Sequence, residues 1–461
     1  MKPSETIEVV RRARSELAAE RLTRAQIEAR QAAHVSALLR DAAARCPFHA
    51  HRLQGHDLQA AAVLSELPVM SKEDLVGSFD EITTDRRLTS AVVERHAADM
   101  SDEDPLLFGE YRVLATGGTT GMTAYLPFDR SSWLSVLAPI LRVALTHGYG
   151  PRVAPRRRAA TVTAGGPLHM THRTATSGRS SVYRYLRLDV TTPVSELARA
   201  LGEFRPDVLG GYPSVLAALA EEQHAGRLDI SPRWVMCSAE QLRASARRAI
   251  RDAWVDPFDI YATTETGGPL AFECTAHEGM HIREETCLVE AVDEGDRLVP
   301  DGEHAAALLV TSWLNSTLPL IRYRIEDPVL ITSEPCPCGR ASKRILQLSG
   351  RQEEILELPG LDGARIAIHP NHFQEMIEER PEVASYQVLH TPQQITVSVV
   401  ARNDHDSHWA SELATALTTR LHTLGADPPP ITVTLVEELE RPATPGAKLK
   451  VIRSEANRLA N

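Results

Sequence analysis

From about residue 113 to residue 350 the chain alternates short β-branched runs with longer amphipathic ones, and this alternation restricts its fold more than any other feature. The stretches "RAATVTAG", "PRWVMCSA", "FDIYATT" and "AALLVTSW" read as strands, and "VSELARALGEF", "PSVLAALAEEQ" and "ASARRAIRDAW" read as helices. A strand that returns through a helix lies parallel to its predecessor, so the pattern predicts an α/β architecture with sheets flanked by helices. Residues 1–105 read as a helical lead-in. In "QAAHVSALLRDAAARC", Val35, Leu38, Leu39 and Ala42 share one helical face, and Ser71 with Asp74 resembles a capping box. Beyond "LSGRQEEI" the strands "ASYQVLH", "QITVSVVAR" and "ITVTLVEEL" and the helix "SHWASELATALTTRLHTLG" predict a small α+β unit. The expected division is a large unit over residues 1–350 and a small one over 351–461.

Composition narrows the function. An apolar fraction of 43% supports a sizeable core, and a net charge of −11 argues against a nucleic-acid protein that relies on a general phosphate field. No apolar run reaches the roughly eighteen residues of a membrane span, and "MKPSETIEVVRRARSELAAE" lacks the apolar centre of a signal peptide. Six cysteines in 461 residues do not make a disulfide framework. A cytoplasmic protein with reduced thiols is the expectation.

The run "LATGGTTGMTAY" over residues 114–125 concentrates small hydroxyls and glycines where neither helix nor strand favours them. Successive backbone N–H groups with the hydroxyls of Thr116, Thr119 and Thr120 can cradle an anion, although a structural turn would look alike. The Gly-Lys-Ser/Thr ending of a nucleoside-triphosphatase loop is missing. After the run come "GYPSVLAALAE", "CSAEQL", "DIYATTETGGP", "PLIRYRIEDPVLI", "SGRQEE" and a terminal "ATPGAKLKVIR", and before it stands "PVMSKEDL". In this order the chain resembles the adenylate-forming superfamily of acyl- and aryl-CoA ligases and adenylation domains. It is most similar to the phenylacetate–CoA ligase-like branch, which "PVMSKEDL" and "CPCGR" resemble in particular.

The resemblance implies roles. Thr116, Gly117, Gly118, Thr119, Thr120 and Gly121 would hold the β- and γ-phosphates of ATP. Ser238, Ala239, Glu240 and Tyr261, with Thr264 beside them, would line the nucleotide, the tyrosine by stacking. Glu265 would bind Mg²⁺, a hard cation that takes carboxylate and phosphate oxygens. Asp327 would accept hydrogen bonds from the ribose, and Arg351 would reach the nucleotide from the junction. Lys448, rather than Lys450, would bridge the carboxylate and the α-phosphate, supplying positive charge where two anions meet. The small unit would rotate about residues 351–353 between two half-reactions.

Cys274, His281, Cys336 and Cys338 form a candidate structural zinc site, with His277 as the alternative imidazole; three sulfurs and one imidazole suit a closed tetrahedral centre. Cys46, Cys237 and Cys287 read as buried small apolar residues. The run "PRRRAA" reads as a solvated charge cluster or a docking patch for coenzyme A phosphates, and His169 and His172 as loop residues or borders of an acyl pocket. Three positions depart from the family pattern: Met122 where a lysine is usual, Ile325-Glu326 where Thr-Gly precedes the ribose aspartate, and Gln241 where a proline follows the Ala-Glu pair.

The activity so implied is ATP-dependent adenylation of a small aromatic carboxylate, followed by transfer to coenzyme A or a carrier-protein thiol. A second reading changes the acceptor to an amine, or the anion to nitrite activated toward an aryl amine. A third is a degenerate nucleotide-binding scaffold, which Met122 favours and Glu265, Asp327 and Lys448 oppose. A homodimer is the assembly the branch implies.

Overall fold

A computed structural model of the protein describes residues 3–59, 61–100, 105–116, 123–146, 156–163, 166–177, 183–190, 192–348, 356–361, 365–368, 371–378, 380, 382–401, 408–439 and 452–455. The lead-in consists of α1 (Pro3–Ala19), α2 (Arg24–Arg45), α3 (Pro47–Arg52), α4 (Lys72–Gly77), α5 (Phe79–Ile82) and α6 (Ser90–Ala98). Thr23 and Gln26 cap α2 reciprocally, and Val35, Leu38, Leu39 and Ala42 form its buried face as the spacing predicts. The predicted box opens α4: the Asp74 N–H donates to Ser71 Oγ at 3.0 Å, and the Ser71 N–H donates to Asp74 Oδ2 at 2.8 Å. A cap of this kind contributes about 1 kcal/mol.

The α/β region runs through β1 (Arg112–Ala115), β2 (Tyr125–Phe128), α7 (Arg130–Thr146), β3 (Arg157–Thr163), α8 (Met170–Ser177), β4 (Tyr183–Asp189), α9 (Val194–Phe204), β5 (Val208–Gly211), α10 (Pro213–His224), β6 (Trp234–Ser238), α11 (Ala244–Ala253) and β7 (Phe258–Thr263). It continues through β8 (Gly268–Glu273), β9 (Met280–Ile282), β10 (Cys287–Val292), β11 (His304–Ala305), β12 (Ala307–Ser312), β13 (Leu320–Ile325), β14 (Val329–Thr332) and β15 (Arg344–Leu348). Among the described residues, ten strands join one sheet in the order β11-β14-β15-β9-β8-β7-β6-β5-β3-β4. From β4 through β3, β5 and β6 to β7 every pairing is parallel, as helical crossovers require. From β7 onward the pairing turns antiparallel, because only a tight turn separates β7 from β8.

Both faces of the parallel half are covered. Ala160, Val162 and Leu209 pack with Leu197 and Leu201 of α9, Leu216 of α10 and Ile250 of α11. On the other face Val143 of α7 meets Ala159, Val208, Trp234 and Phe272. A second sheet, β10-β12-β13, contributes Leu308, Val310 and Leu320 to another cluster with Leu270, Met280 and Ile282 of β8 and β9. Met70, just ahead of the α4 cap, bridges in parallel to Tyr323 of β13, which explains how "PVMSKEDL" reaches "PLIRYRIED" across 250 residues of chain.

The C-terminal elements are β16 (Leu356–Pro359), β17 (Arg365–Ile368), α12 (Asn371–Glu378), β18 (Val383–His390), β19 (Ile395–Ala401), α13 (His408–Thr423), β20 (Ile431–Leu435) and β21 (Ile452–Ser454). The sheet order is β20-β19-β18-β21. Leu356, Phe373, Val388, Val397, Leu413, Leu417 and Ile452 belong to a hydrophobic cluster drawn only from residues beyond 355.

Candidate active site

In an open parallel sheet, ligands bind in the crevice beyond the carboxyl ends of the strands, where loops converge and helix N-termini point. Here β5 ends at Gly211, β6 at Ser238 and β7 at Thr263. The residues that follow are Tyr212, Ala239-Glu240 and Thr264-Glu265. Ser238, Ala239, Glu240, Thr264 and Glu265 therefore lie along one edge of one sheet.

The turn after β6 is strained. Ala239 has φ +70°, a left-handed conformation that costs a non-glycine residue about 1 kcal/mol or more. Glu240 helps to hold it, because its Oε2 accepts from the Ser214 N–H at the start of α10 at 3.2 Å. The turn after β7 is closed by the threonines of "ATTETGG". Thr263 Oγ1 accepts from the Thr266 N–H at 3.2 Å, and the Gly267 N–H donates to Thr264 O at 3.1 Å. Gly267 has φ +72°, and a Cβ there would lie 2.6 Å from Leu314 Cδ2. Glycine is thus needed for the chain to reverse directly behind Glu265.

Tyr323 of β13 faces this turn. Burial first, then the charges of Glu265 and Glu73, raise its hydroxyl far above the ordinary tyrosine range. It stays a neutral phenol beside a carboxylate. Tyr261 is buried in β7, and its hydroxyl donates to Asp327 Oδ2 at 2.6 Å. The two sequence-predicted nucleotide residues, separated by 66 positions, are therefore in direct contact. Two residues before Tyr261, Asp259 lies beside Glu273, which accepts from the Asp259 N–H at 3.0 Å and is paired with Arg247 and His277. Burial, followed by the charge of Glu273, pushes the Asp259 carboxyl up to about 7.

The Gly/Thr run joins the strands of the β1–β2 hairpin. At its base Thr116 Oγ1 accepts from the Ala124 N–H at 3.1 Å, and the Thr116 N–H donates to Ala124 O at 2.9 Å. The Ala115 N–H donates to Leu168 O at 3.0 Å, which brings the "GGPLHMTH" segment to the hairpin. His172 in that segment is buried. Gly117, Gly118, Thr119, Thr120, Gly121, Met122, Arg351 and Lys448 lie outside the described residues. In "PRRRAA", Arg156 is exposed and Arg157 is buried, while the partly exposed Arg158 side chain lies 3.8 Å from the Asp207 carboxylate.

The pairing of β9 with β15 places His281 opposite Arg344 and brings Cys274 and His281 to the Cys336–Cys338 turn. The ligand atoms of Cys274, His281, Cys336 and Cys338 all lie within 4.8 Å of one another. Cys274 Sγ is 3.6 Å from Cys336 Sγ, and Cys338 Sγ is 3.3 Å from His281 Nε2. A tetrahedral zinc centre spaces its donors by about 3.5–3.8 Å, so the set fits that ion. Ser342 Oγ sits 2.9 Å from His281 Nδ1, fixing the ring with Nε2 toward the sulfurs. Burial, with Arg340 and Arg344 nearby, lowers His281 to about 4, which leaves a neutral imidazole suited to a metal. His277 is not part of the group; it pairs with Glu273.

Sequence reasoning overlooked Tyr323, the Asp259–Glu273–Arg247 support beneath Tyr261, and Ser342. Only Tyr323 carried a signal, its place inside the "LIRYRIED" motif.

No family profile matches the chain. It is 29% identical over 195 residues to phenylacetate-coenzyme A ligase of Thermus thermophilus, covering 41% of this chain and 42% of that protein. It is 23% identical over 257 residues to fumarate–(S)-2,3-diaminopropanoate ligase of Enterobacter agglomerans, covering 52% of this chain and 59% of that protein. The matches thus span about half the length of these relatives. Among solved structures, 2-hydroxyisobutyryl-CoA ligase in the postadenylation state with R3-HIB-AMP superposes with a TM-score of 0.72 at 17% identity, over 95% of this chain and 91% of that one. The same ligase with 2-HIB-AMP and CoA in the thioesterification state gives 0.57 at 18% identity, over 95% and 92%. Among the described residues, no helix is long and apolar enough to cross a membrane.

Proposed function

We propose that the chain is an adenylate-forming enzyme, as its similarity to the ligases above supports, and that it activates a small carboxylic acid with ATP and passes the acyl group to a nucleophile. In the first half-reaction a carboxylate oxygen attacks the α-phosphorus, the bond to the β-phosphate oxygen breaks, and pyrophosphate leaves with that electron pair. The observation that supports this most is the Tyr261–Asp327 hydrogen bond beside the strained Ala239 turn and the Glu265 turn. In this reading they set a ribose acceptor, held by the buried Tyr261, and a metal-binding carboxylate at one strand edge.

In this reading Tyr261 stacks on the adenine and orients Asp327 toward the ribose hydroxyls. Ser238, Ala239 and Glu240 border the base, Thr264 flanks it, and Arg351 reaches it from the junction. The hydroxyl of Thr116 and the amides of 117–121 hold the phosphates. Mg²⁺ on Glu265 supplies charge neutralisation at the phosphates. Lys448 bridges the carboxylate and the α-phosphate, where its ammonium offsets the charge that Met122 does not. The acid is a small aromatic one and the acceptor is the thiol of coenzyme A, in keeping with the phenylacetate ligase relative. Cys274, His281, Cys336 and Cys338 would hold a zinc ion in a structural role, leaving it no open position for substrate.

The superfamily performs its half-reactions in two orientations of the C-terminal unit. The better superposition on the postadenylation state supports the reading that the described orientation lies on the adenylation side of that cycle. A second reading replaces the thiol by an amine, and the similarity to an enzyme named for joining fumarate to diaminopropanoate favours it.

The test is pyrophosphate release over a panel of small acids, with coenzyme A, amines or nitrite plus an aryl amine added in turn. Acid-dependent release that proceeds to a thioester supports the first reading, and release that proceeds to an amide supports the second. Release with nitrite alone moves the activity to that anion. Tight ATP binding with no release under any condition refutes an enzymatic role and leaves the scaffold.

A further inference from the structure

Among the described residues, a side-chain pair ties the turn proposed to border adenine to the C-terminal sheet. Arg243 follows Glu240 by three residues and occupies the N-cap of α11, where its side chain makes no capping bond. Serine, threonine, asparagine or aspartate would stabilise that position, and a cation there sits at the unfavourable end of the helix dipole. Helix stability therefore does not account for an arginine at this place. Its guanidinium instead reaches β18: Nη1 donates to the Tyr386 hydroxyl, and the guanidinium carbon lies 5.3 Å from the ring centroid. Tyr386 is 4% exposed and belongs to the hydrophobic cluster of the C-terminal unit. The ring is fixed in one unit and the cation is fixed at a turn of the other.

We propose that Arg243 and Tyr386 form a latch that holds the C-terminal unit in its adenylation orientation, which makes them positioning residues for that half-reaction. The inference rests on the function proposed above. A unit that rotates to the second orientation must part this pair, because the ring moves with β18 and the guanidinium stays beside the Ser238–Glu240 turn. A hydrogen bond combined with a partly desolvated cation–π contact biases such an equilibrium by about tenfold. The latch also lies three residues from Glu240, so occupancy of the base site and orientation of the unit are linked through one short segment.

Arg243→Ala, Arg243→Lys and Tyr386→Phe test the proposal. Two rates are compared: ATP–pyrophosphate exchange, and acceptor acylation from chemically supplied acyl-adenylate. Arg243→Ala should slow exchange about tenfold while leaving acylation from supplied adenylate undiminished. Arg243→Lys should recover most of the exchange rate, and Tyr386→Phe, which keeps the ring and loses the hydroxyl, should fall between. A parallel loss of both rates, or no change in either, overturns the latch. Small-angle X-ray scattering of the ligand-free protein decides the matter without activity. Arg243→Ala should broaden the interatomic distance distribution at unchanged thermal stability, and an unchanged distribution overturns the proposal. If the wild type catalyses no exchange with any acid, the proposed function fails, and the scattering result alone judges the latch.

Discussion

Replacing Gly267 with alanine should damage the site through backbone and packing together. The residue has φ +72°, and the added Cβ would sit 2.6 Å from Leu314 Cδ2 and 3.3 Å from Val136 Cγ2. The left-handed backbone costs alanine about 1 kcal/mol, and forcing a methyl group into that contact adds roughly 1–3 kcal/mol. The expected destabilisation is about 2–4 kcal/mol. Gly302 provides the control, because it has φ +82° but nothing within 4 Å of its Cβ position. Gly302→Ala should therefore lose only the backbone share, about 1 kcal/mol. The assay is urea unfolding of both variants, followed by fluorescence, with pyrophosphate release measured on the folded proteins. Gly267→Ala should also release pyrophosphate more slowly, since Glu265 lies two residues away on the same turn. Equal unfolding midpoints for the two variants, or unimpaired turnover in Gly267→Ala, would refute the assignment of this glycine to the site.

Other consequences concern the metal, the Asp259 carboxylate and the terminal lysine. Zinc analysis should find about one ion per chain; Cys336→Ser or a strong chelator should remove it and lower the melting temperature, and a wild type free of zinc after growth with zinc contradicts the site. Loss of the ion should also loosen α1 and α2, because Arg340, two residues past Cys338, pairs with Glu20 at 2.9 Å. Asp259 holds its proton in the folded chain up to about pH 7, whereas the unfolded aspartate releases it near 3.8. Stability should therefore fall as pH rises across that window, by roughly 4 kcal/mol in all. Asp259→Asn should flatten the profile between pH 5 and pH 8, and parallel profiles would count against an acid with a raised pKa there. Lys448→Ala should reduce adenylate formation about 100- to 1,000-fold with ATP affinity little changed; retained turnover would transfer the role to another cation.

The parallel half of the sheet was legible because each strand run is followed by a helix with a clear apolar face, as Leu197 and Leu201 in α9 illustrate. The antiparallel half was harder to read. Its strands β9, β14 and β15 are short, and their partners lie up to 65 residues away, as in the Met280–Ile345 pair. The same long-range pairing hid the choice between His277 and His281, since both stand near Cys274 in sequence and only the β9–β15 register selects one. Motif order singled out Ser238, Tyr261, Glu265 and Asp327 as candidates, and the fold brings Tyr261 and Asp327 into contact. The supports beneath them were not: Glu273 and Arg247 belong to elements whose sequence shows only a charged residue in an ordinary amphipathic run. Arg243 was missed for a related reason, because nothing local marks it as reaching a tyrosine 143 positions away.

A crystal structure with a non-hydrolysable acyl-sulfamoyl adenosine tests the central claim most directly. The adenine ring should lie against Tyr261 and the Ser238–Glu240 turn, the ribose hydroxyls on Asp327, and the acyl–sulfamoyl linkage within reach of residue 448 and the Thr116–Ala124 hairpin base. An adenosine bound away from the carboxyl ends of β5, β6 and β7, or no binding at all, would contradict the account.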